Sequence, residues 1–304
     1  MTKAELHLHL EGSVEAETLL AIDPSLTREE IGRNMNCRTF PEFLRSYEWV
    51  TRRLRTPQDY ALATRHLLDR LASENVTYAE ITLSAGVVLW KNQDLSAVYD
   101  AVWNESQRSR VKTFWIVDAV RHFGAEAGMR VAEFAVQRRN DGAIAYGIGG
   151  DEARGPAEWF RDVFAYARDG GLRLTCHAGE TTGPESIWAA LEIGAERIGH
   201  GIAAARDPEL LATLRARNIP LEVCITSNIC TGVVEKLEEH PVRQLYDAGV
   251  PIVINTDDPA FFRTTLTQEY EIAERVFNLP VEELAANSFR YSFANPGQSA
   301  SSNS

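Results

Sequence analysis

The first residues in the chain that could do chemistry are two histidines near its start. His7 and His9 are separated by one leucine within residues 4–10, a stretch that is typical of a β-strand. Because residues i and i+2 of a strand point to the same side, both imidazoles can reach one metal ion. Taken alone, the pair is equally compatible with two ordinary hydrogen-bonded histidines. It predicts a metal site only if further ligands lie elsewhere in the chain.

Two further ligands are available. His177 lies in the predicted strand 172–178, and Asp257 directly follows the predicted strand 251–256. Three imidazole nitrogens and one carboxylate oxygen suit Zn²⁺ and leave one position open for water. A zinc ion lowers the pKa of its bound water to about 7, which makes hydroxide available at neutral pH. The sequence therefore predicts one catalytic zinc ion per chain.

A hydrolase built on such a site also needs groups that move protons. Glu180 in the sequence HAGE and His200 in RIGHG are placed for those roles. The glycines on both sides of His200 indicate that the backbone there approaches a ligand closely. Asp257 and Asp258 would repel each other unless their roles differ. We expect Asp257 on the metal and Asp258 turned towards the substrate.

These residues follow a regular alternation of predicted strands and helices. The predicted strands are 4–10, 78–84, 113–120, 144–150, 172–178, 197–201, 221–226 and 251–256. The clearest predicted helices are 60–73, 156–169, 185–193 and 209–217. Eight such units predict an α/β fold, a (β/α)8 TIM barrel. The chemically active residues all lie at or near strand ends, where such barrels form their active sites.

One long segment interrupts the alternation. About 65 residues separate the first two predicted strands, and we expect residues 11–75 to add helices over the barrel mouth. The aromatic residues of this insert are Phe40, Phe43, Tyr47 and Trp49. They could stack on a purine or pack against the barrel. We see no linker, so we predict one domain over 1–304, with a disordered tail at 295–304.

Bulk composition excludes several classes of protein. The 304 residues carry a formal net charge of −12, with 44% hydrophobic and 24% charged residues. An acidic surface repels nucleic acid and anionic membranes, so we expect neither as a partner. Four cysteines without a C-x-x-C pair, and a start without an apolar signal-peptide core, predict a reduced cytoplasmic protein. Nothing in the sequence indicates the oligomeric state.

Six stretches in this order resemble the adenosine deaminase family. They are AELHLHLEGS (4–13), GIGGDE (147–152), CHAGE (176–180), RIGHG (197–201), LEVCITSN (221–228) and NTDDP (255–259). The resemblance implies a zinc-bearing (β/α)8 barrel that deaminates adenine compounds. It implies that the zinc ligands are His7, His9, His177 and Asp257.

The resemblance also implies roles for the groups around the substrate. By position, Glu180 is similar to the proton donor to adenine N1, and His200 to the base or electrostatic orienter of the zinc hydroxide. Asp258 is similar to the residue that bonds N7, and Gly150 to the residue whose backbone bonds N3. Glu11 stands at the position that contacts the sugar 5′-hydroxyl. Water and a small adenine nucleoside are the implied reactants.

Three positions depart from adenosine deaminases proper. Glu11 stands where they usually have aspartate, and its extra methylene should shift or crowd the sugar contact. The second strand reads EITLSAG, where they usually carry an arginine followed by an aromatic residue. Ile225 replaces a common proline. The catalytic residues are retained and the sugar side is altered, which indicates a different adenine compound as the substrate.

The sequence therefore predicts a zinc-dependent hydrolytic deaminase acting at C6 of adenosine or 6-aminodeoxyfutalosine, a nucleoside with a large 5′ substituent. Free adenine is the alternative substrate, and Thr231-Gly232 with the NTDDP stretch favours a nucleoside. Two other classes stay open. One is a different metal-dependent hydrolase on the same barrel, and the other is an inactive binding relative.

Overall fold

Eight parallel strands form one sheet in chain order, from β1 to β8. The structure is a computed structural model that describes residues 1–294, so the predicted tail at 295–304 lies outside the described residues. The strands are β1 (Lys3–His9), β2 (Val76–Leu83), β3 (Lys112–Val120), β4 (Ala143–Gly149), β5 (Arg173–Ala178), β6 (Arg197–His200), β7 (Leu221–Val223) and β8 (Ile252–Ile254).

The sheet closes into a barrel where the chain leaves β8. Leu8 forms a parallel bridge with Asp257, and the backbone N–H groups of His9 and Asp257 donate across this seam over 2.9 and 3.0 Å. A closed sheet of eight parallel strands surrounded by helices is the predicted (β/α)8 barrel. The seam therefore passes through His9 and Asp257, two of the predicted metal ligands, and through Leu8, which lies between the two histidines of β1.

Helices surround the barrel between the strands. They are α1 (Ala16–Ile22), α2 (Arg28–Asn34), α3 (Phe40–Thr51), α4 (Pro57–Ser73), α5 (Ala85–Trp90), α6 (Leu95–Ser106), α7 (Ala125–Gln137), α8 (Arg161–Asp169), α9 (Pro184–Glu192), α10 (Pro208–Ala216), α11 (Ile225–Cys230), α12 (Val242–Asp247), α13 (Pro259–Phe262), α14 (Leu266–Arg275) and α15 (Val281–Arg290). Local sequence signals determine where several of these helices begin. At α4, for example, Thr56 and Asp59 form a reciprocal capping box around Pro57, which suits the first helical position.

The insert behaves as the sequence predicts. Helices α1 to α4 all lie between β1 and β2, and α3 covers part of the barrel mouth. Its aromatic residues divide between the two proposed roles. Phe40, Phe43 and Tyr47 line the cavity below α3, whereas Trp49 stacks under the guanidinium of Arg53 at 3.6 Å.

Most predicted elements differ from the structure by one to three residues at an end, and at two places the type of structure differs as well. The strand predicted over 221–226 ends at Val223, because Ile225 already begins α11. The helix predicted over 156–169 begins as a 3-10 turn, Ala157–Phe160, and becomes α-helical only at Arg161. Within residues 1–294, no helix combines the length and the apolar character needed to cross a membrane. All four cysteines are free thiols.

The closed end of the barrel contains charged side chains. Arg197 is fully buried, and its guanidinium contacts Glu80 at 2.6 Å and Glu222 at 2.5 Å. It also donates to the carbonyl of Tyr291 at 3.1 Å and stacks on the ring of Phe293 at 3.6 Å. Buried charges are tolerated when they are paired in this way. The segment after α15 thereby covers the floor of the barrel.

Candidate active site

The four predicted metal ligands meet at the barrel mouth. Nε2 of His9 lies 3.2 Å from Nε2 of His177 and 3.3 Å from Oδ1 of Asp257, and Nε2 of His7 is also 3.3 Å from that oxygen. Nε2 of His7 is buried without a hydrogen-bond partner. Such a converging set of nitrogen and oxygen atoms, with one unpaired, is what a divalent metal ion requires. The residues present therefore fit a metal ion.

His200 lies close enough to be confused with a ligand. Its side-chain nitrogen falls within 4.8 Å of donor atoms from His7, His177 and Asp257. Its Nε2, however, is 3.8 Å from Asp257 Oδ2 and also 3.8 Å from Glu180 Oε2, farther than the contacts that His9 makes. These distances favour His9 as the ligand and His200 as its neighbour, and the assignment of the ligands stays a prediction.

The backbone is strained at two of these residues. His200 has φ of 60° and Asp257 has φ of 64°, the left-handed region that non-glycine residues rarely adopt. Each such residue costs about 1–3 kcal/mol and persists only where the surroundings enforce it. His200 is the last residue of the short strand β6, and Asp257 lies three residues after the end of β8. The turn aims each side chain into the barrel mouth instead of along the strand.

Partners behind the ligands orient their rings. Nδ1 of His7 pairs with Oε2 of Glu222 at 2.7 Å, and Nδ1 of His177 lies 3.1 Å from the carbonyl oxygen of Ile148. Both contacts leave Nε2 as the nitrogen that faces the metal position. Burial lowers the pKa of His177 well below its usual value, so this ring stays neutral, as a ligand must.

Glu180 is positioned by a second carboxylate. Glu152 accepts backbone N–H bonds from Gly179, Glu180 and Thr181 over 2.8–2.9 Å, and it also accepts from the hydroxyl of Ser186. These bonds fix the loop that carries Glu180. Burial, followed by the nearby charge of Asp257, raises the pKa of Glu180 well above its usual value. The carboxyl therefore holds a proton that it can donate.

A chain of hydrogen bonds selects the tautomer of His200. The backbone N–H of Val242 donates to Nδ1 of His240 at 3.2 Å, so a neutral His240 carries its proton on Nε2. That proton points to Oδ1 of Asn228 at 3.0 Å, which leaves the amide nitrogen of Asn228 facing Nδ1 of His200 at 3.2 Å. Burial lowers the pKa of His200 to about 4 and that of His240 to about 3. Neutral His200 therefore carries its proton on Nε2, towards the metal site.

Asp258 faces the cavity above Gly12. A Cβ atom on Gly12 would lie 1.6 Å from Oδ1 of Asp258, so only glycine leaves room for this carboxyl. Oδ1 is buried and has no hydrogen-bond partner within the described chain. Burial and the adjacent charge of Asp257 raise the pKa of Asp258 well above its usual value. A protonated Asp258 can donate to a ring nitrogen of a ligand.

The side chains enclose a cavity of about 310 Å³. Its wall includes His9, His177, Glu180, His200, Asp257 and Asp258 on the polar side. Gly150, at φ of 95°, also lies in the wall and presents its backbone there. A cavity of this size suits a small organic ligand. All predicted catalytic side chains and two of the three predicted substrate-binding residues thus border one space.

Glu11 is placed differently. It is fully buried behind Tyr47 and Ser84, which form the cavity wall in front of it. Its carboxylate accepts from the hydroxyl of Tyr47 at 3.3 Å and from the backbone N–H of Ser84 at 3.2 Å. Burial raises its pKa to about 7. A direct contact between Glu11 and a ligand therefore stays a prediction.

The comparisons with known proteins agree with this geometry. The family model for adenosine deaminase matches residues 2–301. The chain belongs to the adenosine deaminase family. Its relatives include an aminodeoxyfutalosine deaminase of Streptomyces avermitilis, 38% identical, with 96% of this chain and 87% of the relative covered. An adenine deaminase of Rhizobium leguminosarum bv. trifolii is 35% identical, with 94% and 92% covered.

Solved structures of related proteins have the same fold. The crystal structure of an adenine deaminase from Arthrobacter aurescens superposes with a TM-score of 0.91 at 29% identity and covers 97% of this chain and 94% of its own. As a member of the adenosine deaminase family, the chain is a hydrolytic deaminase with a site for a divalent metal ion. The fold and the class of reaction predicted from sequence are confirmed.

Sequence analysis assigned no role to four residues that position other side chains of this adenosine deaminase family member. Each acts on a residue that is distant in the chain, and the four are Glu152, Glu222, Asn228 and His240. A partial signal existed for Glu152, which stands in the quoted stretch GIGGDE, and for Glu222 and Asn228, which both stand in LEVCITSN. His240 lies outside every quoted stretch, and nothing in its local sequence indicates its function.

Proposed function

We propose that this protein is a zinc-dependent deaminase of an adenine nucleoside with a large 5′ substituent, with 6-aminodeoxyfutalosine as the preferred substrate. The observation that carries the proposal is the lining of the cavity. Besides the predicted metal ligands, Tyr47 and Ser84, the lining includes three apolar side chains, which we call the annex: Val87, Trp90 and Phe123. The name of the Streptomyces avermitilis relative points to the same substrate.

The annex offers an apolar and aromatic surface. The rings of Trp90 and Phe123 stack with their centres 6.0 Å apart, and the side chain of Trp90 is 45% exposed. Large apolar surfaces at the mouth of a cavity mark places where a ligand is bound. A purine that reaches the metal ligands would leave this surface uncovered. A nucleoside with a large 5′ group would cover it.

The groups around the purine have complementary protonation states. Protonated Glu180 donates to N1, which makes C6 more electrophilic, and protonated Asp258 donates to N7. The backbone of Gly150 binds N3. His200 directs its Nε2 proton at the attacking water oxygen and orients it towards C6. Water adds at C6, and one of its protons passes to the amino group, which leaves as ammonia. The other proton returns to the Glu180 carboxylate as the C6 carbonyl forms, and the 6-oxopurine keeps the proton on N1.

Zinc is the metal that the ligand set favours, because three imidazoles and one carboxylate suit its size and softness. When bound, it would supply a water of lowered pKa, near 7. The chain's own contribution is a ligand set that leaves one position open for water, neutral His177 and His200, and the proton donor Glu180 beside them.

Free adenine is the second candidate. One observation favours it: the carboxylate of Glu11 already pairs with Tyr47 and Ser84, and Glu11 does not line the cavity where a sugar would lie. The Rhizobium relative and the Arthrobacter structure carry the name adenine deaminase. Without the sugar contact, binding would rest on the purine alone.

The test is ammonia release by zinc-loaded protein with 6-aminodeoxyfutalosine, adenosine and adenine measured side by side. We expect the highest kcat/KM for 6-aminodeoxyfutalosine. Trp90→Ala should raise KM for that substrate and leave adenine turnover unchanged, because adenine does not reach the annex. Faster turnover of adenine than of both nucleosides would replace the proposal by its alternative.

A further inference from the structure

One carboxylate in the cavity has no assigned function. Asp118 lies on β3 with its side chain inside the barrel, where it is 4% exposed and forms part of the cavity wall. Within residues 1–294, its oxygens form neither a hydrogen bond nor an ion pair, and they are not fully shielded by the surrounding protein. The carboxyl is therefore open to the cavity, where a ligand can use its accepting oxygens.

The neighbouring strand leaves space for this side chain. Asp118 pairs in register with Gly147 on β4, and a Cβ atom on Gly147 would lie 2.8 Å from Oδ1 of Asp118. A Cβ atom on Gly149 would lie 3.3 Å from Oδ2 and 3.2 Å from Nδ1 of His177. Two glycines thus keep the carboxyl open on the side of the metal ligands. An acid that only filled core volume would not need this space.

The position of Asp118 indicates which part of a substrate it meets. Gly150, the proposed partner of purine N3, follows Gly149 directly and lies beside β3 at its end. N3 and N9 are bonded to the same ring carbon, so a group beside N3 also faces N9 and the substituent there. Asp118 therefore lies below the N3/N9 edge of a purine whose C6 is at the metal site.

We propose that Asp118 is a substrate-binding residue that accepts a hydrogen bond from a donor at the N3/N9 edge. This inference rests on the proposed function. Two donors have the required chemistry: the N9–H of a free base, or the ribose 2′-hydroxyl of a nucleoside, which is the hydroxyl nearest to N9. Burial raises the pKa of the Asp118 carboxyl to about 8, the direction expected for an acid whose donor is absent.

Product binding provides a test that is independent of turnover. Calorimetry of the zinc-loaded protein would compare hypoxanthine with 9-methylhypoxanthine, and inosine with 2′-deoxyinosine. In each pair the second compound lacks one donor. We expect Asp118→Ala to weaken binding of one donor-bearing compound by about 10- to 100-fold and that of its partner by less than about threefold. The pair that shows the difference identifies the donor.

Stability measurements separate this role from a structural one. Asp118→Ala and Asp118→Asn should melt at or above the wild-type temperature, because each removes an unpartnered buried carboxyl. The contrast is Asp59→Ala, which loses a carboxylate that accepts two backbone N–H bonds at 2.8 Å in the α4 capping box. That variant should melt lower and bind both products normally.

Equal weakening within both pairs, or no weakening, would overturn the inference, as would a lowered melting temperature with unchanged binding. Failure of the proposed function gives a different result: the wild-type protein would then bind neither product and turn over none of the three aminopurines. In that case the inference about Asp118 fails together with the proposed function.

Discussion

Asp257 and Asp258 are neighbours in the chain but meet different partners. Asp257 lies among the imidazoles of His7, His9 and His200, which hold its pKa well below its usual value despite its burial. Asp258 lies beside that negative charge, and burial raises its own pKa. One carboxyl is therefore ionised and the other protonated, which is how two adjacent acids can serve a metal and a substrate.

Replacing Glu180 by glutamine should abolish most turnover. The amide has the shape of the acid but no proton of suitable acidity to give to N1, so we expect kcat to fall by about 10²- to 10⁴-fold. Metal analysis should show an unchanged metal content, since Glu180 is not in the ligand set. A Glu180→Gln variant with near wild-type kcat would exclude Glu180 as the acid.

The tautomer of His200 can be tested through Asn228. Asn228→Asp places a carboxylate where the amide nitrogen donates, so Nδ1 of His200 must become the protonated nitrogen. We expect kcat to fall by at least about tenfold, because Nε2 no longer donates towards the metal site.

The ring nitrogens of His200 can be followed by ¹⁵N NMR in the same variant. Wild-type spectra should show the proton on Nε2 and the variant a proton on Nδ1. A variant that shows the shifted proton but keeps or gains activity would mean that His200 acts as a base at Nε2.

At the scale of elements, the turn after β1 and the turn after β8 depend on each other. Gly12 lies in the 3-10 turn Glu11–Ser13, and Asp258 precedes α13. Any side chain at position 12 would occupy the space of the Asp258 carboxyl. The stretch HLHLEGS therefore carries a glycine for a reason that only the folded structure reveals.

Gly12→Ala should displace Asp258 and weaken substrate binding by about 10- to 200-fold in kcat/KM, as expected when a positioned polar contact is lost. The matched control is Gly32→Ala in α2, where a new Cβ atom meets nothing within 4 Å. That variant should keep full activity and melt slightly higher, since alanine favours a helix. Equal activity of the two variants would show that Asp258 tolerates displacement.

Most elements could be predicted because their signals are local. Alternation of apolar strands and helical patterns placed all eight strands, and β6, predicted over 197–201, ends one residue earlier at His200. The error at β7 has a physical reason. Ile225 and Thr226 are β-branched and favour a strand, but tertiary contacts place them in α11, where the backbone N–H of Thr226 donates to Glu269.

The positioning residues of the site could not be predicted, because the residues that they contact are distant in the sequence. Glu222 contacts His7 across 215 positions of the chain, and Glu152 contacts Glu180 across 28. The quoted stretches contain both glutamates, but nothing in those stretches indicates which residue each one contacts. The predicted ligands could be proposed because histidines and aspartates at strand ends are unusual, and their convergence in the structure agrees with that prediction.

On the scale of the whole molecule, metal binding and stability should be coupled. The predicted ligands come from β1, β5 and the turn after β8, so an ion bound by them would join both sides of the barrel seam. Free zinc at about 100 times its Kd should add about 2.7 kcal/mol to the free energy of unfolding. A chelator should lower the melting temperature by several degrees and abolish activity, and added zinc should restore both. An unchanged melting temperature would mean that the site binds metal only weakly.

The barrel floor gives a second prediction at this scale. Arg197→Met leaves Glu80 and Glu222 buried without their cation, so we expect a loss of about 3–5 kcal/mol in the free energy of unfolding. Arg28→Met, which breaks an exposed pair with Glu17, should cost less than about 1 kcal/mol. Urea denaturation would measure both. Similar values for the two would show that the floor adapts to the missing charge.

The same floor limits how the gene can be edited. Besides the contacts of Arg197, the backbone N–H of Phe293 donates to Glu80 at 2.6 Å, so residues after α15 complete the interior of the barrel. A fusion partner or affinity tag joined beyond Phe293 leaves this seal intact. A stop codon before Tyr291 removes it and opens a buried cation to water, which should give an insoluble product although every catalytic residue is still encoded.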